Sequence, residues 1–135
     1  MTWEELTEVR RLRRELRHTE QSLELIRSTS AQTSRYDAKP LFTPQLKSSV
    51  EFDIMRINEL ERRIEEITTA LADAKVRLEK AIIDSVEDVT ARALMILRYI
   101  DCKHFRDIGF ALGYSEAHIY HLHRIICEKI IVNDI

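Results

Sequence analysis

From Val9 onward, apolar residues recur at alternating spacings of three and four: Val9, Leu12, Leu16, Leu23 and Ile26, with Thr19 as the one polar member. That period holds one stripe on one side of a helix and is the seam of a coiled coil. Thr2 can cap this helix. Glu4, Glu5 and Glu8 then set negative charge against the positive end of its dipole. The pattern stops at residues 28–34, STSAQTS, which are small and polar and carry no stripe. Lys39-Pro40 and Thr43-Pro44 add chain breakers. Residues 29–47 are therefore expected to form a mobile linker, with Tyr36, Leu41 and Phe42 able to dock and shorten it.

A second helix starts either at Pro44, with Thr43 as cap, or at a capping box formed by Ser48 and Glu51. Its seam runs through Val50, Ile57, Leu60, Ile64, Ile67, Leu71, Ala74, Leu78 and Ala81, with Asp53 as a polar intruder. Two helices with one apolar stripe each, joined by a linker, predict an antiparallel hairpin. The second seam is the longer, so apolar surface is left for another partner. A second copy of the chain would cover it. The expected dimer contacts are Ile57, Leu60, Ile64, Ile67, Leu71 and Leu78, in a hairpin, parallel coil or four-helix bundle.

The last third changes character. Ser85 and Asp88 form a capping pair that would start a helix near Val86. Val89, Ala93, Ile96, Leu97 and Ile100 give that helix an apolar face, and Asp101-Cys102-Lys103 breaks it. The next segment fits a helix-turn-helix, in which two helices cross steeply over a tight turn. Gly109 supplies the small residue where the second helix passes close. Gly113 supplies a turn position tolerant of positive φ. Ile108, Leu112 and Tyr114, then Ile119 and Leu122, plug the angle, and Ser115 caps the second helix. The fold class expected is all-α: a long coiled-coil hairpin over residues 1–84, then a helix-turn-helix domain over residues 85–135.

The segment LRYIDCKHFRDIGFALGYSEAHIYHLHRIICEKI, residues 97–130, resembles region 4 of bacterial sigma factors, the module that reads the promoter −35 element. The order of coiled-coil half, Ser/Pro linker and C-terminal motif is also similar to small phage-encoded regulators of the ArpU-like type. The resemblance implies a dimeric regulator of phage gene transcription that binds double-stranded DNA in the bacterial host cytoplasm, with RNA polymerase as a possible partner. It implies that Ser115, Glu116, Ala117, His118, Tyr120, His121 and Arg124 face the major groove. Family recognition helices carry several arginines there, whereas this one has Arg124 and histidines. Nothing resembles the aromatic, basic promoter-melting helix of region 2, so a complete sigma factor is not expected.

Charge sharpens the question. Residues 86–135 hold six Lys/Arg against seven Asp/Glu, and a neutral domain gains little from counterion release. Dimerisation, charged histidines or a switch to protein binding would each resolve this. Residues 1–30 carry six arginines and six glutamates. The run Arg10, Arg11, Arg13, Arg14 and Arg17 is thus either a solvated, balanced face or a phosphate-contacting stripe.

The remaining chemistry excludes more than it suggests. There is no glycine-rich phosphate loop and no nucleophile in a recognisable base context, so no enzyme is expected. Glu65-Glu66 lies on a coil face where solvated charge is ordinary. His118/His121 and His123/Cys127 have ligand spacing, but the pairs point in different directions, so neither metal nor cofactor is expected. Cys102 and Cys127 are too few for a disulfide framework. No apolar run approaches the ~20 residues that span a bilayer, and no membrane partner is expected. An oligomeric DNA-packaging adaptor of the small-terminase kind is the rival to the regulator.

Overall fold

The computed structural model describes the backbone of residues 1–36 and 44–131 and the side chains of residues 1–29 and 49–131. Among the described residues five helices follow one another: α1 (Trp3–Tyr36), α2 (Pro44–Ser85), α3 (Val89–Tyr99), α4 (Phe105–Leu112) and α5 (Glu116–Ile130). The fold is all-α, with α1 and α2 as a long helical hairpin and three shorter packed helices after it.

Thr2 caps α1 as expected, and the cap is reciprocal. The Glu5 N–H donates to the Thr2 hydroxyl at 3.2 Å, and the Thr2 N–H donates to the Glu5 carboxylate at 3.3 Å. Val9, Thr19 and Leu23 are buried along the anticipated seam, and Leu12, Leu16 and Ile26 half-buried. Leu6, fully buried, extends the seam by one more turn. The buried Thr19 hydroxyl donates to the Glu15 carbonyl at 2.8 Å, so its polarity is satisfied within the helix.

Helix α1 extends into the stretch expected to be linker. Residues 28–34 do not leave the helix, because α1 continues through Tyr36. No glycine or proline interrupts them, and Ser, Thr and Gln each disfavour a helix by less than about 0.7 kcal/mol relative to Ala. The Thr29 hydroxyl donates back to the Leu25 carbonyl at 2.8 Å. Of the two possible starts for α2, the earlier holds. Pro44 opens the helix, where its missing N–H leaves no bond unmade. The Thr43 cap and the docking of Leu41 and Phe42 lie outside the described residues, as does the docking of the Tyr36 side chain.

On α2, Ile67, Leu71, Ala74 and Leu78 are buried, Ile57, Leu60, Ile64 and Ala81 half-buried, and Val50 is exposed. Ile82, fully buried, carries the seam beyond Ala81. Ile67, Leu71 and Leu78 were expected to meet a second copy; a single chain already buries them. A single chain thus buries half of the six residues assigned to a dimer and leaves Ile57, Leu60 and Ile64 half-buried.

Contacts divide the chain into two compact units, Met1–Arg13 with Leu71–Ile135, and Arg14–Ala70. Among the described residues of the second unit, Leu23 and Ile67 are the most buried aliphatics, and Arg27–Glu61 and Arg63–Glu15 pair across the hairpin. These pairs are about half exposed, so solvent screening leaves them little net stabilisation. The first unit holds the deeper core. Leu6, Val9, Ile82, Leu94, Met95, Tyr99, Ile108 and Ile119 are all essentially inaccessible. Each such aliphatic contributes about 1.5–3 kcal/mol through burial. Trp3 sets its ring edge-on to Tyr99 at 6.2 Å, which ties the first turn of α1 to α3. Among the described residues no helix is long and apolar enough to cross a membrane.

Candidate nucleic-acid interface

The corner before the motif differs from expectation by one cap. Ser85 does not start a helix; it is the last residue of α2. Asp88 caps α3 instead, its carboxylate accepting from the Ala91 N–H at 2.9 Å. Val86, expected inside the new helix, is buried between the two helices. Arg92 fastens this corner by donating to the carbonyls of Val86 and of Ile83, the latter at 3.0 Å. The break at Asp101-Cys102-Lys103 forms where anticipated, with Cys102 at φ 55°. The N–H groups of Asp101 and Lys103 close it by donating to Ile96 and Leu97 carbonyls at 3.0 and 2.9 Å.

The α4–α5 pair follows the glycines. A methyl group at Gly109 would lie 2.7 Å from the Tyr114 carbonyl oxygen, and 3.5 and 3.6 Å from Ile119 and the Glu116 nitrogen. Only a hydrogen fits under the start of α5. Gly113 ends α4 at φ 78°, and both its own N–H and that of Tyr114 donate to the Gly109 carbonyl. Ser115 caps α5 by accepting from the His118 N–H at 3.2 Å. Ile108 and Ile119 fill the angle completely, and Leu112 and Leu122 are half-buried there. Tyr114 does not plug the angle as expected. It is 42% exposed and rests its ring on His118 at 4.9 Å, outside the core. The αL turn at Gly113 has already turned the chain outward by that residue.

Ser115, Glu116, Ala117, His118, Tyr120, His121 and Arg124 are all exposed. Ala117, Tyr120, His121 and Arg124 recur at spacings of three and one on the side of α5 opposite buried Ile119 and Ile126. The face carries little net charge. Its one full cation, Arg124, lies 3.8 Å from Glu128 one turn on, with both side chains largely exposed. Tyr120 is held by an aromatic shelf: its ring lies 4.4 Å from that of Phe105, and the Arg98 guanidinium covers Phe105 at 4.0 Å.

Behind this face α3 and α5 are joined by a polar network. Tyr99 hydroxyl and Cys127 thiol both address His123 Nε2, the thiol at 3.4 Å. Burial pushes the Tyr99 phenol well above its ordinary range, and the neighbouring Cys127 adds to this. Burial also raises the Cys127 thiol. His123 is held below its ordinary value by burial first, then by the positive charges of Arg98 and Arg10. All three groups are thus kept neutral, with Nε2 as acceptor. The His123–Cys127 spacing is visible in the sequence; Tyr99, which completes the network from another helix, is not. Phe105 and Arg98 were likewise missed, since their meeting depends on α3 and α4 lying together, and Arg10 stood out only as one member of a basic run. Among the described residues no group of three or more His, Cys, Asp or Glu is placed to hold a metal ion.

Comparison of the chain with family models, with curated proteins and with solved structures found no match.

Proposed function

We propose that the chain is a sequence-specific regulator of transcription that binds double-stranded DNA through α5, of the phage-encoded, sigma-region-4-like type that its C-terminal sequence resembles. One observation carries this: α4 and α5 cross over a hydrogen-only contact at Gly109 and a left-handed Gly113, with residues 115–124 presenting an exposed polar face. A helix so held can enter a major groove with its N-terminal half against base edges. Homodimerisation would double the contact; exposed Val50, Phe52, Ile54 and Met55 beside half-buried Ile57, Leu60 and Ile64 support it. Selecting bound duplexes from a random pool tests the function. A recovered motif, with half-site spacing, is the expected result; no enrichment over the starting pool refutes it.

A second function has a specific observation in its favour. Phe110 on α4 is 90% exposed, and Arg124 is the only full cation among the seven residues assigned to the groove. Both features suit a protein-binding module, with RNA polymerase as the partner. A packaging adaptor would instead assemble as a ring of many copies, so solution mass separates it from a dimeric regulator.

A further inference from the structure

We propose that Arg10, Arg13, Arg98 and Lys103 form a phosphate-binding cluster, built jointly by α1, α3 and the α3–α4 turn, that grips the DNA backbone beside the groove-reading helix. The proposal rests on the chain being a DNA-binding protein, and it answers the charge deficit of residues 86–135 by position, not by net charge. Glu4, Glu5 and Glu8 balance Arg10, Arg11 and Arg13, so α1 adds no net charge; it adds Arg10 and Arg13 locally, from turns that belong to the same compact unit as α3, α4 and α5.

Three arginines converge there. Arg13 donates from Nη1 to the Asp101 carbonyl at 3.0 Å, which fastens α1 to the turn after α3. Arg10 places its guanidinium 5.4 Å from the Tyr99 ring centre, and Arg98, the residue before Tyr99, donates to the Lys103 carbonyl at 3.0 Å. The Arg98 Nε is buried without a hydrogen-bond partner. Arg98 is held below its ordinary pKa by burial and then by Arg10, the mark of two like charges kept close. Lys103 adds a further exposed cation at the same turn.

A lone structural arginine can be satisfied by carbonyls, as Arg92 is, but four cations gathered for structure alone would be balanced by acids. Among the described residues, no carboxylate lies within 4.0 Å of any of the four cations, although Glu8, Glu15, Glu59, Glu61, Glu66 and Glu128 all pair with arginines elsewhere. Asp101 meets Arg13 through its backbone oxygen, not its carboxylate. Uncompensated like charges held together oppose folding, and an anion relieves them. The cluster also has the right neighbour. Phe105 lies between Arg98 and Tyr120, so the basic surface runs onto the exposed face of α5. A phosphate diester suits the donors, because guanidinium groups bind its oxygens in pairs while backbone contacts fix register without reading sequence.

The test uses the full chain and a duplex recovered by the random-pool selection. Arg13→Gln removes the charge and, because its amide is two bonds shorter, also the bond to the Asp101 carbonyl, so its folding is checked by its melting temperature. Lys103→Ala alters only an exposed side chain. Each variant should flatten the slope of log affinity against log salt by about one, and the pair by about two. Affinity should fall several-fold for the selected and for a scrambled duplex alike, with the melting temperature unchanged in Lys103→Ala. Wild-type slope and affinity in both variants would overturn the cluster and leave the function standing. Loss of discrimination between the two duplexes with an unchanged slope would also overturn it. If the wild-type chain binds no duplex, the proposed function fails, and the cluster's role with it.

Discussion

Gly109 allows the crossing of α4 and α5 to be tested without any ligand. In an ordinary helix, Gly→Ala stabilises by about 0.5–1 kcal/mol, because alanine loses less backbone entropy. Here the added methyl would sit 2.7 Å from the Tyr114 carbonyl oxygen, a backbone atom just before the cap of α5. Restoring ordinary contact requires the start of α5 to move away by several tenths of an ångström. That motion strains the two bonds that Gly113 and Tyr114 donate to the Gly109 carbonyl. Overpacking of this kind costs about 1–3 kcal/mol, which outweighs the helix gain. The expected net loss for Gly109→Ala is roughly 1–2 kcal/mol, a fall in melting temperature on the order of 5 °C. Gly113 gives the matched control. Nothing lies within 4 Å of a methyl there, so its penalty comes from φ 78° alone. Gly113→Ala should cost roughly 1–2 kcal/mol, and Gly113→Asn less, because asparagine tolerates the left-handed region. Gly109→Asn should be worse than Gly109→Ala. Denaturant unfolding followed by circular dichroism measures all four. A Gly109→Ala chain as stable as wild type would show that α5 does not pass over Gly109 as described.

Other perturbations address other parts of the chain. Asp88→Ala removes the cap of α3 and should lower stability by about 1 kcal/mol, while Ser85→Ala should not; equal effects in the same unfolding assay would contradict the assignment. His123 is depressed below its ordinary value of 6.5, so the unfolded state takes up a proton more readily than the folded state. Its contribution to stability is therefore present above pH 6.5 and lost as the pH falls below it. Denaturant midpoints from pH 8 to 5 should show that decline in wild type and a flatter profile in His123→Gln; parallel profiles would contradict it. Arg124→Ala should weaken binding to a selected duplex by about 1–3 kcal/mol yet leave unfolding unchanged, since its exposed pair with Glu128 adds little. A variant with wild-type affinity would remove Arg124 from the groove.

The motif around Gly109 and Gly113 was legible because its constraints are local. A left-handed turn, a hydrogen-only contact, a serine cap and two filled positions, Ile108 and Ile119, all fall within a dozen residues. The hairpin seams were legible for the same reason, as periodicity needs no knowledge of the partner helix. Cap choice at the α2–α3 corner was not. Ser85 and Asp88 are chemically equivalent caps, and burial of Ile82 and Val86 decides between them by keeping α2 helical past Ala81. The polar stretch 28–34 misled because small propensity differences do not end a helix without a breaker. Least legible were the contacts of Arg10 and Arg13. Five arginines within eight residues look alike in sequence, and only the folded chain selects which ones reach Tyr99 and Asp101.

Because the first compact unit is assembled from Met1–Arg13 and Leu71–Ile135, the segment Arg14–Ala70 is topologically an insertion within it. Its arms are helical through Tyr36 and again from Pro44, so its length is set by matched turns of two helices and not by loose chain. The hairpin can therefore be lengthened or shortened by whole heptads while Trp3 still finds Tyr99. The reverse is not true: a fragment cut at the start of α3 lacks Leu6, Val9 and Ile82, three of the least accessible side chains in that unit. During synthesis, too, the unit cannot complete its core until its last helices have emerged to meet turns made at the outset.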